Sequence, residues 1–148
     1  MVSLVLVAHS GRLLDALVEL IDASTRAPVR CATAGGTADG RMGTDLSRVK
    51  AALRDALDAP GDGCLVLYDT GSAWLTIGVA IDDLSDAERA RVTVSDAPLV
   101  EGALAAAVRA GDGAPLPEVA AAATGALAGD KRPAPVDPER GAGVPLTA

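Results

Sequence analysis

The single histidine of the chain, His9, stands in the turn Ala8-His9-Ser10-Gly11 directly after the apolar run Ser3 to Ala8. Two more polar, glycine-containing segments follow apolar runs: Ala34-Gly35-Gly36-Thr37-Ala38-Asp39-Gly40 and Asp69-Thr70-Gly71-Ser72. A neutral imidazole nitrogen attacks phosphorus at physiological pH, and the phosphoramidate that forms can pass its phosphoryl group on. Asp69 has the chemistry to accept a hydrogen bond from one ring N–H, leaving the other nitrogen as the nucleophile. Gly35, Gly36 and Gly71 allow backbone N–H groups to approach phosphoryl oxygens. With Ser10, Thr37 and Ser72 they form the expected phosphoryl-binding set. Helices opening near Gly11 and Ser72 would turn positive N-termini toward the same charge, so neither a metal nor a cofactor is required.

Such a site needs the three segments on one rim, and the patterning supplies a frame that does this. Ser3 to Ala8, Val29 to Thr33, Cys64 to Tyr68 and Val92 to Ser95 read as short buried strands. Leu14, Leu17, Val18 and Ile21 keep the spacing of one helix face, as do Leu46, Val49, Leu53 and Leu57. Thr44 or Asp45 is placed to cap the second helix, and Ser72 to cap a third over Ala73 to Leu84. Further helices are expected near Leu99 to Ala110 and Leu116 to Leu127. Alternating strands and helices predict an α/β fold: a doubly wound open sheet of about four mainly parallel strands, in the flavodoxin-like order 2-1-3-4, with helices on both faces. In such sheets ligands bind beyond the carboxyl ends of the strands, where strand order reverses, and there Asp69 would lie beside His9.

At 148 residues, with 49% hydrophobic residues and a composition shift to Pro, Gly and Ala near the end, the chain reads as one domain over 1–128. Residues 129–148 read as a disordered tail or linker. Cys31 and Cys64 are too few for a disulfide scaffold and are expected to stay reduced, on strands that flank the first strand rather than each other. No apolar stretch approaches the roughly 18 residues of a membrane span, and no leader pattern opens the chain, so a cytoplasmic protein is expected. A net charge of −7 with no cluster of Lys and Arg disfavours nucleic acid.

Competing chemistry is weaker. No phosphate-binding GxxxxGK[ST] segment exists, Gly35 to Gly40 is not a dinucleotide fingerprint, and Ser10 sits on no nucleophile elbow. Asp82-Asp83 and Asp86 to Glu88 read as the solvated end of the third helix and its loop, and Trp74 as either core or an exposed rim contact.

The segments Val5 to Ser10, Ala34 to Thr44, Asp69 to Ala73 and Asp96 to Ala103 resemble the phosphotransferase subunit of the phosphoenolpyruvate-dependent dihydroxyacetone kinase. The resemblance covers about Val2 to Leu127, and that domain is similar to mannose-type sugar-transport IIA domains. It implies that His9 takes a phosphoryl group from the histidine phosphocarrier protein, charged in turn by enzyme I. It also implies delivery to ADP on the kinase's nucleotide-binding subunit, and a homodimer. Thr70 stands where the family commonly has Leu, and Thr76-Ile77-Gly78 lacks an Asn and a Glu common there. Some relatives carry the phosphocarrier and part of enzyme I as further domains, whereas this sequence stops after its Pro-rich tail, so separate donor proteins are expected unless the sequence is a fragment. The alternatives are a IIA component that passes phosphate to a IIB protein, or a noncatalytic regulatory protein of the same fold.

Overall fold

Alternation along the first strand decides the layering of the molecule. Leu4, Leu6 and Ala8 belong to one apolar cluster and Val5 and Val7 to the other, all fully buried, because successive side chains of a strand point to opposite faces. The computed structural model describes residues 1–129, 131 and 132. In chain order these form β1 (Ser3–Ala8), α1 (Gly11–Ser24), β2 (Cys31–Gly35), α2 (Leu46–Asp58), β3 (Cys64–Tyr68), α3 (Gly71–Asp82), α4 (Asp86–Arg89), β4 (Val92–Ser95), α5 (Leu99–Gly111) and α6 (Leu116–Gly125).

The sheet has the order β2-β1-β3-β4 with every pairing parallel, as the patterning predicts. Helices α1, α5 and α6 cover the Leu4 and Leu6 face, where Leu14, Leu17, Ile21, Val119 and Ala123 are buried. Helices α2 and α3 cover the other face through Val49, Leu53, Ile77 and Ala80. In α5 the fully buried Ala103, Ala106, Ala107 and Ala110 follow helical spacing, and their small side chains let α6 and the sheet come close. The Asp96 to Ala103 segment therefore serves packing: Ala97 and Ala103 are core, and the Ser95 hydroxyl oxygen accepts a hydrogen bond from the Ala97 N–H at 3.2 Å.

Three local expectations are corrected, and one choice between two caps is decided. The second strand is Cys31–Gly35 rather than Val29 to Thr33, because its ladder with β1 pairs Leu4 with Cys31 and Ala8 with Gly35. Val29 is buried ahead of the strand, so its β-branched side chain reports packing rather than pairing. Helix α3 begins at Gly71 behind Thr70, which makes no side-chain cap bond, so Ser72 lies inside the first turn instead of capping it. The second helix is capped by Asp45, whose carboxylate accepts the Arg48 N–H. Finally, α3 stops at Asp82, and Asp86 to Glu88 opens the separate turn α4.

That turn is closed by a reciprocal cap: the Ser85 hydroxyl accepts the Glu88 N–H, and the Glu88 carboxylate accepts the Ser85 N–H. The backbone bond from Ser85, then the Arg54 guanidinium and the Ser85 hydroxyl, pull the Glu88 carboxyl down to about 2. A carboxyl lowered by folding stabilises the fold above its ordinary range and loses that contribution as pH falls toward the folded value. Glu88→Gln is therefore expected to flatten the pH dependence of unfolding between about pH 4.5 and 2, measured by urea denaturation at each pH.

Cys31 and Cys64 are both free, on β2 and β3 with β1 between them. Burial pushes both thiols up to about 11, with Asp22 adding to the rise at Cys31 and Arg91 opposing it at Cys64. Maleimide is expected to modify Cys64 about 100-fold more slowly in the folded protein at pH 8 than in denaturant, because so little thiolate is present. Most of the expected tail lies outside the described residues.

Candidate active site

Register places the site. Val7 pairs with Tyr68 and Ala8 with Gly35, so His9, Gly36 and Asp69 each emerge just beyond the sheet on one rim. Here β1 sends its successor helix to one face while β3 sends its own to the other. The Asp69 N–H donates to the Val7 carbonyl at 3.2 Å, and the Gly36 N–H donates to the Ala8 carbonyl at 3.2 Å, which ties both flanking segments to the strand that carries His9.

The Asp69 carboxylate is the organising group. Its two oxygens both lie 3.0 Å from His9 Nδ1, while the backbone N–H of His9 donates to Oδ2 at 2.8 Å and that of Thr70 to Oδ1 at 2.7 Å. An ionised carboxylate only accepts, so Nδ1 carries the proton and donates, and the lone pair is on Nε2. Ser72 Oγ stands 2.6 Å from Nε2 and donates its hydroxyl there. Thr70 Oγ1 lies 3.3 Å from Nδ1 and adds a further neighbour. Partial burial pushes the Asp69 carboxyl up, but the His9 backbone and imidazole bonds and the Thr70 N–H together outweigh it and hold the group below the ordinary carboxylate value. The His9 side chain is 29% exposed and Asp69 17%, so the imidazole is reachable while its partner sits behind it.

The glycine loop acts by close approach. A Cβ on Gly35 would stand 2.6 Å from Gly11 Cα and 2.9 Å from the Ser10 carbonyl oxygen, so only glycine lets the end of β2 meet the start of α1. Gly36 then turns with φ 70°, the left-handed region that favours glycine. The N–H groups of Gly36 and Thr37 are engaged with the carbonyls of Ala8 and Arg41, and the Gly43 N–H donates to the His9 carbonyl at 3.0 Å. Thr37 uses its hydroxyl within the loop, on Asp39 and the Arg41 backbone. Ser10 caps α1 by accepting the Leu13 N–H at 3.3 Å. Gly71 and Ser72 occupy the first turn of α3, where N–H groups have no intrahelical acceptor. Gly35→Ala is expected to cost about 1–3 kcal/mol through backbone displacement, seen as a lower urea midpoint with unchanged m.

A cleft of about 470 Å³ opens beside His9, Gly11 and Gly35, and its rim includes Arg12, Arg41 and Arg48. Arg41 lies in a segment marked by motif, but nothing in the sequence places Arg12 and Arg48 near it. On the outer face of α3, Trp74, Leu75 and Val79 are exposed, which settles Trp74 as a surface residue.

Residues 3–120 match the family model described as the PTS system fructose IIA component, and the chain belongs to this family. Within it, the chain is a member of the group of phosphoryl donor subunits named for phosphoenolpyruvate-dependent dihydroxyacetone kinases. It is 35% identical over 109 residues to the phosphoryl donor subunit DhaM of such a kinase, numbered 2, in Listeria innocua, covering 74% of this chain and 86% of that protein. It is 41% identical over 130 residues to the phosphoryl donor subunit of Klebsiella michiganensis, covering 86% of this chain and 27% of the relative. The Escherichia coli subunit is 39% identical over 122 residues, covering 80% and 25%. The chain thus spans most of the Listeria relative and about a quarter of the two longer ones. A crystal structure of a protein of unknown function superposes with a TM-score of 0.73 at 31% identity, covering 84% of this chain and 94% of that one.

Proposed function

We propose that residues 1–128 form a phosphoryl-transfer domain that accepts phosphate on His9 from the histidine phosphocarrier protein and passes it to ADP held on a dihydroxyacetone kinase subunit. The observation that carries this reading is the imidazole anchored through Nδ1 by Asp69, with Nε2 on a reachable rim. In the first step the Nε2 lone pair forms a bond to phosphorus as the donor's P–N bond breaks, and that electron pair returns to the donor nitrogen. In the second, an oxygen of the ADP β-phosphate bonds to phosphorus, and the P–Nε2 pair returns to His9. Asp69 stabilises the positive charge that the ring gains while phosphorylated. Ser72, displaced from Nε2, is placed to donate its hydroxyl to a phosphoryl oxygen, and the N-termini of α1 and α3 favour the same charge.

The names of the relatives support the acceptor, since the Listeria, Klebsiella and Escherichia proteins are phosphoryl donor subunits of phosphoenolpyruvate-dependent dihydroxyacetone kinases. The exposed apolar face of α3 beside Ser72 supports transfer between proteins, because patches of that kind mark interaction surfaces. Among the described residues no helix is long and apolar enough to cross a membrane, which fits cytoplasmic donors, and a homodimer is part of the same reading. The family model's description favours a second reading, a IIA component whose acceptor is a IIB protein.

The test is to incubate the chain with phosphoenolpyruvate, enzyme I and the phosphocarrier protein, then add either the kinase subunit with ADP or a IIB protein. Acid-labile, base-stable label that only the ADP-loaded subunit discharges is the expected result. Discharge by IIB alone transfers the assignment to the second reading.

A further inference from the structure

The cleft beside His9 is charged against the trend of the molecule. The chain has 20 acidic and 13 basic residues, yet the residues lining this cleft include Arg12, Arg41 and Arg48 against one acidic residue, Asp15. Three elements far apart in sequence deliver them: the first turn of α1, the loop after β2 and the first turn of α2. Among the described residues Arg12 and Arg48 form no ion pair. Arg41 places its Nε–H on Asp39 at 2.7 Å, which sets the loop and leaves the rest of the guanidinium fork for another anion. The segment from Asp69 to Ser72 does not line the cleft.

A phosphoryl group on Nε2 has Ser72 and the first turn of α3 within reach, and it neither fills 470 Å³ nor needs three guanidinium groups. A diphosphate needs both the room and the charge. As it approaches a phosphorylated histidine, two polyanions meet while water is excluded, and fixed cations are what offset that repulsion. Guanidinium forks match phosphate oxygens two at a time. We propose that this cleft is a diphosphate-binding subsite, which receives the phosphate oxygens of a nucleoside diphosphate acceptor while His9 carries the group to be transferred. The inference rests on the transfer function proposed above and specifies where the acceptor's charge is held.

The probe is inorganic pyrophosphate, added at constant ionic strength to the full ¹⁵N-labelled chain. Saturable shifts at Gly11, Arg12, Gly36 and Arg41 are expected. The double variant Arg12→Gln/Arg48→Gln is expected to weaken the response about tenfold or more through loss of charge-assisted bonds. Retained amide dispersion checks its fold, and Arg12→Lys/Arg48→Lys, which keeps the charge, is expected to recover part of the affinity. Protein labelled to completion on His9 then reports discharge: the Gln variant is expected to raise the ADP-loaded acceptor concentration for half-maximal discharge about tenfold, with a smaller change in the limiting rate. Shifts elsewhere, no shifts, or pyrophosphate binding unchanged in the Gln variant would overturn the subsite. Because pyrophosphate binding is read on unphosphorylated protein, a failure of His9 labelling counts against the transfer function separately.

Discussion

A His9→Ala chain is expected to acquire no label from phosphoenolpyruvate, enzyme I and the phosphocarrier protein, a loss to background rather than a reduction. The sequence has no second imidazole to take over. The nearest oxygen nucleophile, Ser72 Oγ, is held as a donor to Nε2 at 2.6 Å and loses that base when the ring is removed. With the ring gone, the Asp69 carboxylate still accepts two backbone donors, the N–H groups of residue 9 and Thr70. Chemical stability separates the outcomes: a phosphohistidine is lost in acid and survives base, whereas a serine phosphate survives acid. Because His9 sits on the rim, the variant is expected to unfold at a urea concentration close to that of the parent. Label on the folded His9→Ala protein would sink the assignment.

Asp69→Asn is expected to leave His9 able to be phosphorylated but to slow its labelling by about 10² to 10⁴-fold, the scale seen when an amide replaces the carboxylate that orients a catalytic imidazole. The reason lies in the donor count. The carboxylate receives the His9 N–H, the Nδ1 proton and the Thr70 N–H through two oxygens, whereas an amide offers one oxygen and turns an NH₂ toward the remaining donors. The ring then gains by exposing Nδ1 as an acceptor, which moves its proton to Nε2 and removes the nucleophile. Single-turnover labelling measures the rate, and an ¹⁵N spectrum of the imidazole measures the tautomer. Labelling within about threefold of the parent, with the proton still on Nδ1, would contradict this role for Asp69. In the parent, a carboxyl held below its ordinary range by folding supports both ring orientation and stability at neutral pH. Both are expected to fail only as pH falls through that lowered value.

The sheet order was legible because its signals are local and repeated. Apolar runs of strand length alternate with helical periodicity, and right-handed crossovers leave few ways to join them. His9 and Asp69 were legible as a pair for the same reason, since neighbouring parallel strands carry their carboxyl ends to one rim. Strand and helix boundaries were less so. Whether β2 ends at Thr33 or Gly35 depends on which residues pair with β1, and whether Ser72 caps α3 or touches His9 depends on where that helix begins; a two-residue difference changes the role of each group. The short turn α4 did carry a local signal, Ser85 with Glu88 three residues on, but it lies so close to the end of α3 that the two read as one helix and its loop.

By itself, then, the sequence determined the α/β architecture, the one residue able to carry a phosphoryl group as a phosphoramidate, and the acidic partner beside it. Those follow from residue type and period. The tertiary structure alone decided that the glycine loop works through the contact of Gly35 with Gly11 and that the Ser72 hydroxyl meets Nε2. It alone also brought Arg12, Arg41 and Arg48 together around one cleft. Each of these is a distance between segments remote in sequence, set by the register of three strands and the packing of the helices that follow them. No local pattern encodes such distances.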